Sequence, residues 1–189
     1  MISAILLAAG QSKRMNGENK LIRKIKGVPL IKLSVKNVLD SYIDELIIVL
    51  GHQKEIIEKL IDKNEKIKFV FNKNFERGMS SSIKIGLNNL SEKTEAFFIC
   101  LGDMPLVNKD TYNQLIKSRN NKEIIVPTLK GQQGNPILFS KSTKEKIMTI
   151  QGDVGAKKIL ELNKGKILNV EINNQSIKKD FNTKDDFIY

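Results

Sequence analysis

A segment near the start of the chain combines small residues with cations. The apolar run that begins at Ile2 ends in the small residues Ala8–Gly10, and Lys13, Arg14 and Lys20 follow. Small residues let backbone N–H groups approach a ligand closely, and consecutive N–H groups can form a concave anion site. Arginine binds phosphate oxygens through a planar fork, and lysine adds a mobile charge. The segment predicts a polyphosphate site, with a solvated loop carrying incidental lysines as the alternative.

Asp103 follows a second buried apolar run, Ala96–Leu101, in a turn that Gly102 and Pro105 shape. A carboxylate at the end of a buried strand is suited to hold Mg²⁺, a hard cation that keeps several waters and bridges phosphates. The alternative is an aspartate that only caps the next helix, a role that neighbouring polar residues could fill without such a turn. We therefore expect Asp103 to bind a metal ion.

A glycine and three serines open a predicted helix over Ser80–Leu90. The free N–H groups of a helix N-terminus, together with hydroxyl groups, suit an anion or a ribose. Ordinary N-capping is the alternative, but it needs one serine rather than three. We expect Gly78, Ser80 and Ser82 to contribute to nucleotide binding, with one serine also capping the helix.

Two further glycine-containing segments allow two interpretations each. The segment Pro127–Ser140 has two glycines between predicted strands, which fits a flexible hairpin or a binding loop. Gly152 and Asp153 precede a predicted helix over Val154–Leu162. Asp153 is therefore a candidate N-cap of that helix, and the equal alternative, a residue of the substrate pocket, comes only from the family resemblance.

Apolar runs and amphipathic stretches alternate along the chain, and this order positions the candidate residues. The predicted strands are Ile2–Ala8, Glu45–Leu50, Ile67–Phe71, Ala96–Leu101, Glu123–Pro127, Pro136–Phe139 and Lys166–Ile172. The other predicted helices are Leu30–Leu39, with Pro29 in its first turn, Glu55–Ile61, with Ile56 and Ile57 on its apolar face, Lys109–Ser118 and Thr143–Ile150. This alternation predicts an α/β fold with a mostly parallel sheet covered on both faces. Ligands of such sheets bind outside the carboxyl ends of the strands, where the candidate residues fall.

The bulk composition fits one domain over residues 1–189. No apolar run approaches the ~20 residues that span a bilayer, and the start does not resemble a secretory signal, so we expect no membrane partner. A single cysteine, Cys100, fits a reducing compartment, which favours the cytoplasm. The net charge of +11 comes from dispersed lysines and aromatic residues are 6%, so we expect a small polyanion rather than a nucleic acid as partner.

Six stretches carry a resemblance to a known family. The first stretch reads "LAAGQSKRMNGENKL"; "ERGMSSSIKIGL", "FFICLGDMPLV", "PTLKGQQGNPILFS", "QGDVGAKKIL" and "KKDFNTKDDF" follow in order. Together they resemble the motifs of molybdenum cofactor cytidylyltransferases, within the nucleotidyltransferase superfamily, over nearly the whole chain. Three positions differ: Asn16 lengthens the first motif by one residue, Asn135 stands where the family has histidine, and Lys184 replaces a proline.

The resemblance implies a three-layer, doubly wound Rossmann-like fold of the nucleotide-diphospho-sugar transferase type. It also implies roles for particular residues. The residues implied to bind the nucleotide are Leu7, Ala8, Ala9, Gly10, Arg14, Lys20, Gly78, Ser80, Ser82 and Asp103. The residues implied to bind the acceptor are Gly134, Asn135, Pro136, Gly152 and Asp153. Mg²⁺ is assigned to Asp103 with Asn182 or Asp180, and catalysis to Arg14, Lys20 and Asp103.

The reaction that the resemblance implies is transfer of CMP from CTP to the terminal phosphate of molybdopterin, with release of pyrophosphate. The LAAG form of the first motif favours CTP, because guanylyltransferase relatives carry LAGG. A molybdenum hydroxylase or its maturation chaperone is the partner expected to receive the product. The alternatives are guanylyl transfer to the same cofactor, and nucleotidyl transfer to another small phosphorylated acceptor.

Overall fold

Strands and helices alternate in the computed structural model, which describes residues 1–12, 15, 18–153, 155 and 157–187. The strands of this part of the chain are β1 (Ile2–Ala8), β2 (Lys24–Ile25), β3 (Val28–Pro29), β4 (Glu45–Leu50), β5 (Ile67–Phe71), β6 (Ala96–Leu101), β7 (Ile124–Leu129), β8 (Gln132–Gln133), β9 (Ile137–Ser140) and β10 (Ile167–Glu171). Its α-helices are α1 (Leu30–Leu39), α2 (Lys54–Leu60), α3 (Met79–Asn88), α4 (Lys109–Lys117), α5 (Lys144–Met148) and α6 (Lys157–Leu162).

The main sheet has the strand order β10-β7-β9-β6-β1-β4-β5, with β8 paired to β7. The β1, β4, β5 and β6 pairings are parallel, as is the pairing of β10 with β7, whereas β9 and β8 pair antiparallel to their neighbours. The prediction of an α/β fold with a mostly parallel sheet is confirmed. The small β2–β3 hairpin lies apart from this sheet.

The strand order reverses direction at β1. The chain moves outward from β1 through β4 to β5, and then returns to place β6 on the other side of β1. Loops that leave neighbouring strands at such a switch point diverge to opposite faces of the sheet, which opens a crevice for a ligand. Leu7 and Leu101 are register partners, so the loops after β1 and β6 begin side by side.

The sheet is buried on both faces because its strands alternate their side chains between two apolar clusters. In β1, Ala4, Leu6 and Ala8 belong to one cluster, with side chains of α1, α2 and α4. Ile5 belongs to the other cluster, with side chains of α3, α5 and α6. This gives helix, sheet and helix layers, as expected for near-continuous apolar strands. Cys100 is buried in the first cluster.

Three local predictions were wrong. Ile56 is 46% exposed, because α2 directs only Ile57 fully into the core. Pro29 does not lie in the first turn of α1; it ends β3 and has extended backbone, with ψ at 136°. The single helix predicted over Thr143–Ile150 is a 3-10 turn at Lys141–Thr143 followed by the short α5. None of the helices in the described ranges has the length and apolar content that crossing a membrane requires.

Candidate active site

A cleft of about 680 Å³ opens at the carboxyl ends of β1 and β6. It is bordered by the loop after β1, the start of α3 and the segment that follows β10. The predicted site residues that line it are Leu7, Ala9, Gly10, Lys20, Gly78, Ser82, Asp103, Asp153, Asp180 and Asn182. Residues predicted from five separate stretches therefore meet in one cleft at the switch point of the sheet.

Other predicted site residues lie outside the wall of this cleft. Ala8 and Ser80 are buried, at 1% and 4% exposure, and Gly152 and Pro136 do not line the cleft. Gly134 and Asn135 line a smaller cavity of about 140 Å³. Leu101 and Asp180 line both cavities, so the two adjoin. Arg14 and Asn16 lie outside the described residues.

The Lys20 ammonium connects two predicted metal ligands in the cleft. Its Nζ donates to Asp103 Oδ2 at 2.5 Å and to Asn182 Oδ1 at 2.8 Å. The Lys20 and Asp103 side chains are 17% and 16% exposed, so this ion pair is largely shielded from water. Lys20 thus reaches the site even though Asn16 lengthens the loop before it. The Asp103 carboxylate and the Asn182 carboxamide therefore accept hydrogen bonds from the same ammonium group.

The segment carrying Asp180 and Asn182 is held beside Asp103 by the intervening residue. The Phe181 N–H donates to the Asp103 carbonyl at 2.9 Å. The Phe181 ring is fully buried and packs edge-on against Phe187 at 5.3 Å. Alternate residues of an extended segment point to opposite sides. Asp180 and Asn182, on either side of this buried ring, both line the cleft, where Asn182 Nδ2 donates to Asp180 Oδ2 at 2.5 Å.

Asp186 organises the same segment from behind the cleft. One carboxylate oxygen accepts from the Asn182 and Thr183 N–H groups, each at 2.9 Å, and the other accepts from Lys179 Nζ at 2.6 Å. The hydrogen bond from Lys179, followed by those from the Thr183 and Asn182 backbone, holds the pKa of Asp186 well below its ordinary value. Asp186 is therefore a charged acceptor at neutral pH. The sequence-based prediction did not single it out.

The N-terminus of α3 is capped from another loop. The N-cap is Gly78, which supplies no side-chain cap, and the predicted serine cap is absent. Instead, Asp153 Oδ1 accepts from the Met79 N–H at 3.1 Å, and the Gly152 carbonyl accepts from the Ser80 N–H at 3.3 Å. Asp153 therefore caps α3, and its predicted role as the N-cap of the helix that follows it in sequence rests on residues outside those that the structure describes.

The serines of α3 are held by a residue that the prediction missed. Asn72, which is 1% exposed, donates from Nδ2 to Ser81 Oγ at 2.8 Å and to Ser82 Oγ at 3.0 Å. Ser81 donates to the Gly78 carbonyl at 2.8 Å. Ser82 lines the cleft, and Asn72 holds its hydroxyl in place. The sequence shows Asn72 only as a polar residue after a strand.

Arg77 and Gln11 are further cleft residues outside the predicted set. Arg77 is exposed and lies directly before Gly78, so a guanidinium borders the opening of α3. Its position in the glycine–serine stretch is a signal that could have found it. Gln11 Nε2 donates to Glu76 Oε1 at 3.0 Å, which joins the loop after β1 to the 3-10 turn Phe75–Arg77.

The donor set of the cleft fits a hard divalent cation. Asp103 Oδ2 and Asn182 Oδ1 already share one positive centre, the Lys20 ammonium, and carboxylate and amide oxygens are ligands that Mg²⁺ accepts. Among the residues that the structure describes, no group of three or more histidine, cysteine, aspartate or glutamate side chains could hold a metal.

Comparison with known proteins places the chain among nucleotide-using enzymes. The family model described as the MobA-like NTP transferase domain matches residues 4–169. The molybdenum cofactor cytidylyltransferase of Escherichia coli K12 is 29% identical over 187 residues, which cover 99% of this chain and 94% of that protein. The bifunctional protein GlmU of Thermosipho africanus is 31% identical over 169 residues, which cover 87% of this chain but 36% of that protein.

Solved structures share the fold at low sequence identity. A nucleotidyl transferase from Methanothermobacter thermautotroptrophicus has a TM-score of 0.85 at 21% identity, covering 99% of this chain and 94% of the other. The manganese complex of Rv0371C from Mycobacterium tuberculosis H37Rv has a TM-score of 0.81 at 19% identity, covering 98% and 95%. The Rossmann-like nucleotidyltransferase architecture predicted from the sequence is thereby confirmed.

Proposed function

Because this chain belongs to the MobA-like NTP transferase family and is a nucleotidyltransferase, we propose that it transfers CMP from CTP to the terminal phosphate of molybdopterin. The products are molybdopterin cytosine dinucleotide and pyrophosphate. The observation that carries nucleotidyl transfer is the convergence of Lys20, Asp103 and Asn182 in one cleft. These groups can serve a triphosphate and a metal ion together.

The choice of substrates is supported by one relative and one motif. The Escherichia coli protein named as a molybdenum cofactor cytidylyltransferase aligns over 99% of this chain and 94% of its own length. The LAAG form of the loop after β1 also favours CTP. The cleft of about 680 Å³ lies within the range of small-molecule sites, and the adjoining cavity of about 140 Å³ offers Gly134 and Asn135 to the acceptor.

Mg²⁺ is the metal that we propose for the cleft, held by Asp103 and Asn182 with Asp180 beside them. When bound, the metal neutralises phosphate charge and helps to orient the reacting phosphates. Support comes from the oxygen donors that already share one cation, and from the manganese complex of the mycobacterial structure with the same fold. The loop after β1 receives the β and γ phosphates through its amides and Arg14.

The protein positions the substrates rather than forming a covalent intermediate. An oxygen of the acceptor phosphate forms a bond to the α-phosphorus of CTP. The bond from that phosphorus to the bridging oxygen breaks, and pyrophosphate leaves with the electron pair. A phosphate monoester is already largely ionised at neutral pH, since its second pKa is about 6, so no general base is required. Rate enhancement then comes from orientation and from neutralisation of charge.

Lys20 changes partner during this reaction. Its ammonium neutralises Asp103 and lies at the point where the two proposed metal ligands meet. We propose that, with a metal held by Asp103 and Asn182, the Lys20 ammonium would instead stabilise the charge that develops on the α-phosphate. A flexible four-carbon stem permits this exchange over a short distance.

A panel of the four nucleoside triphosphates, each with molybdopterin and Mg²⁺, tests the proposed substrates. We expect pyrophosphate release and a molybdopterin dinucleotide with CTP. Turnover with GTP but not with CTP would overturn the cytidylyl assignment. Asp103→Ala is a second test, of the metal assignment. We expect it to abolish turnover while leaving the melting temperature near that of the wild type, and unchanged turnover would overturn the assignment.

A nucleotidyltransferase acting on another small phosphorylated acceptor is the second candidate. It is favoured by the 31% identity to GlmU, whose name mentions no molybdenum cofactor. Turnover with CTP or another triphosphate, but only with a sugar phosphate or another small phosphate as acceptor, identifies this case. The chain spans about a third of that relative, at 36% of its length.

The cellular setting is also part of the proposal. The enzyme works in the cytoplasm and delivers its product to a molybdenum hydroxylase or to the chaperone that matures one. A lone buried cysteine is compatible with a reducing compartment. Capture of such an enzyme by the product-loaded protein, and not by the substrate-free protein, tests the partner.

A further inference from the structure

We propose that Asp186 is a positioning residue for the metal site, because it holds the backbone that presents Asn182 to the cleft. This inference rests on the proposed function, since it states how one proposed metal ligand is kept in place. Asp186 itself is not among the residues that line the cleft. Its effect on the chemistry would therefore be exerted through Asn182.

The geometry concentrates three donors of the loop on one oxygen. Asp186 Oδ2 accepts from the Asn182 N–H at 2.9 Å, the Thr183 N–H at 2.9 Å and the Thr183 hydroxyl at 3.0 Å. The side chain is 17% exposed, so water competes poorly for these contacts. The hydrogen bond from the Thr183 N–H to the Asp186 carboxylate has the spacing of a capping box, in which an acidic side chain accepts from a backbone N–H three residues earlier.

Lys179 completes the arrangement from the other side of the loop. Its Nζ donates to Asp186 Oδ1 at 2.6 Å, so the carboxylate joins the residues before and after Asn182. Phe181 fixes the opposite face through its buried ring and its hydrogen bond to the Asp103 carbonyl. The Asn182 peptide is thus held between the core and the Asp186 carboxylate.

Precise placement matters because Mg²⁺ demands near-ideal octahedral geometry with short metal–oxygen distances. In its present orientation the Asn182 carboxamide oxygen shares the Lys20 ammonium with Asp103. Loss of the Asp186 acceptor would free the 182–183 backbone and misplace that oxygen. Residues that orient metal ligands in this way change metal affinity or activity about 10–100-fold when they are replaced.

The test measures Mn²⁺ binding to the full, nucleotide-free chain from the loss of the free-ion EPR signal. We expect Asp186→Ala and Asn182→Ala each to weaken binding about tenfold or more. The double variant should bind no more weakly than Asn182→Ala alone, because both changes act through one ligand. Asp186→Asn, which keeps the shape and one acceptor oxygen, should fall between the wild type and Asp186→Ala.

The matched control is Asp62→Ala, which removes a carboxylate whose side chain is 78% exposed and which pairs with Lys32. It should leave Mn²⁺ binding unchanged. If Asp103→Ala and Asn182→Ala weaken binding but Asp186→Ala lowers only the melting temperature, Asp186 is merely structural and the inference is overturned while the proposed function stands. If none of these variants changes Mn²⁺ binding, both the proposed metal site and the role of Asp186 are overturned.

Discussion

Lys20 is the residue on which the proposed chemistry depends most directly. Its ammonium donates to Asp103 and Asn182 within a largely shielded site. A cation at this point keeps a carboxylate and an amide oxygen together. The same charge would later be available to the α-phosphate. Lys20 therefore serves the free site and, in our proposal, the reacting one.

Replacement of this side chain should affect turnover far more than folding. We expect Lys20→Ala to lower kcat/KM by about 100-fold or more, because one charge that stabilises the developing phosphate charge is lost. Initial rates of pyrophosphate release measure the effect, and circular dichroism checks the fold. The matched control is Lys32→Ala, which removes a lysine whose side chain is 42% exposed and which pairs with Asp62. A Lys20→Ala rate within a few-fold of the wild type would contradict the assignment.

The site residues that local motifs predicted lie in the loops that follow buried strands. Asp103 and Lys20 could be proposed because short, composition-specific stretches surround them. Asn72 and Asp186 were missed, because their roles depend on side-chain contacts that no local pattern specifies, whereas Arg77 was missed although it lies in the glycine–serine stretch. The Asp186 contacts to Lys179 and Asn182 surround Phe181, which is fully buried.

The start of α3 shows how two elements complete each other. Gly78 has a φ of 94°, and a Cβ atom there would lie 2.7 Å from the Asp153 Cα and N atoms. The turn that contains Asp153 therefore packs directly onto Gly78 and caps the Met79 N–H. A helix terminus and a distant turn form one wall of the cleft, and the absence of a side chain at Gly78 is what lets them meet.

A methyl group at position 78 should separate these elements. We expect Gly78→Ala to lower the free energy of unfolding by about 1–3 kcal/mol, because it adds both backbone strain and a clash with backbone atoms. The KM for the nucleotide should also rise, since the displaced turn lines the cleft. Denaturant titration and steady-state kinetics measure the two effects.

Gly165→Ala is the control for this substitution. A Cβ atom at Gly165 would meet nothing within 4 Å, so the variant should unfold close to the wild-type midpoint. If Gly78→Ala were as stable and as active as Gly165→Ala, the contact between the 152–153 turn and α3 would not contribute to the site.

At the scale of the whole molecule, the two apolar clusters make the sheet a rigid support for the cleft. Cys100 lies in β6, three residues before Asp103, and is 1% exposed. Burial raises the pKa of its thiol to about 12, opposed by a hydrogen bond with Tyr112. The thiolate, which is the reactive form, is therefore scarce at neutral pH. Chemical modification of the Cys100 thiol therefore measures how often the core opens.

We expect thiol-specific labelling of Cys100 to be limited by unfolding in the native protein. Reaction with a chromogenic disulfide should be slow in buffer and rapid in concentrated denaturant, with one thiol modified per chain because the sequence has one cysteine. Saturating CTP with Mg²⁺ should slow labelling further, because a ligand that binds only the native state stabilises it. Rapid labelling in native buffer would show that β6 opens locally.

The sequence by itself determined the order of strands and helices, the doubly buried character of the sheet and the identity of the loop residues at strand ends. These features depend on local pattern, because an apolar run or a glycine-rich turn is specified by neighbouring residues. β1, β4 and β6 accordingly have the predicted bounds.

Only the tertiary structure decided which distant groups meet. Strand pairing placed the loops after β1 and β6 side by side, and burial of Phe181 placed Asn182 beside Asp103. It also showed that Asp153 caps α3, that no α3 serine supplies the cap, and that Asp186 holds the last loop. Such contacts join residues that are far apart in the chain, and packing of the core, not local propensity, selects them.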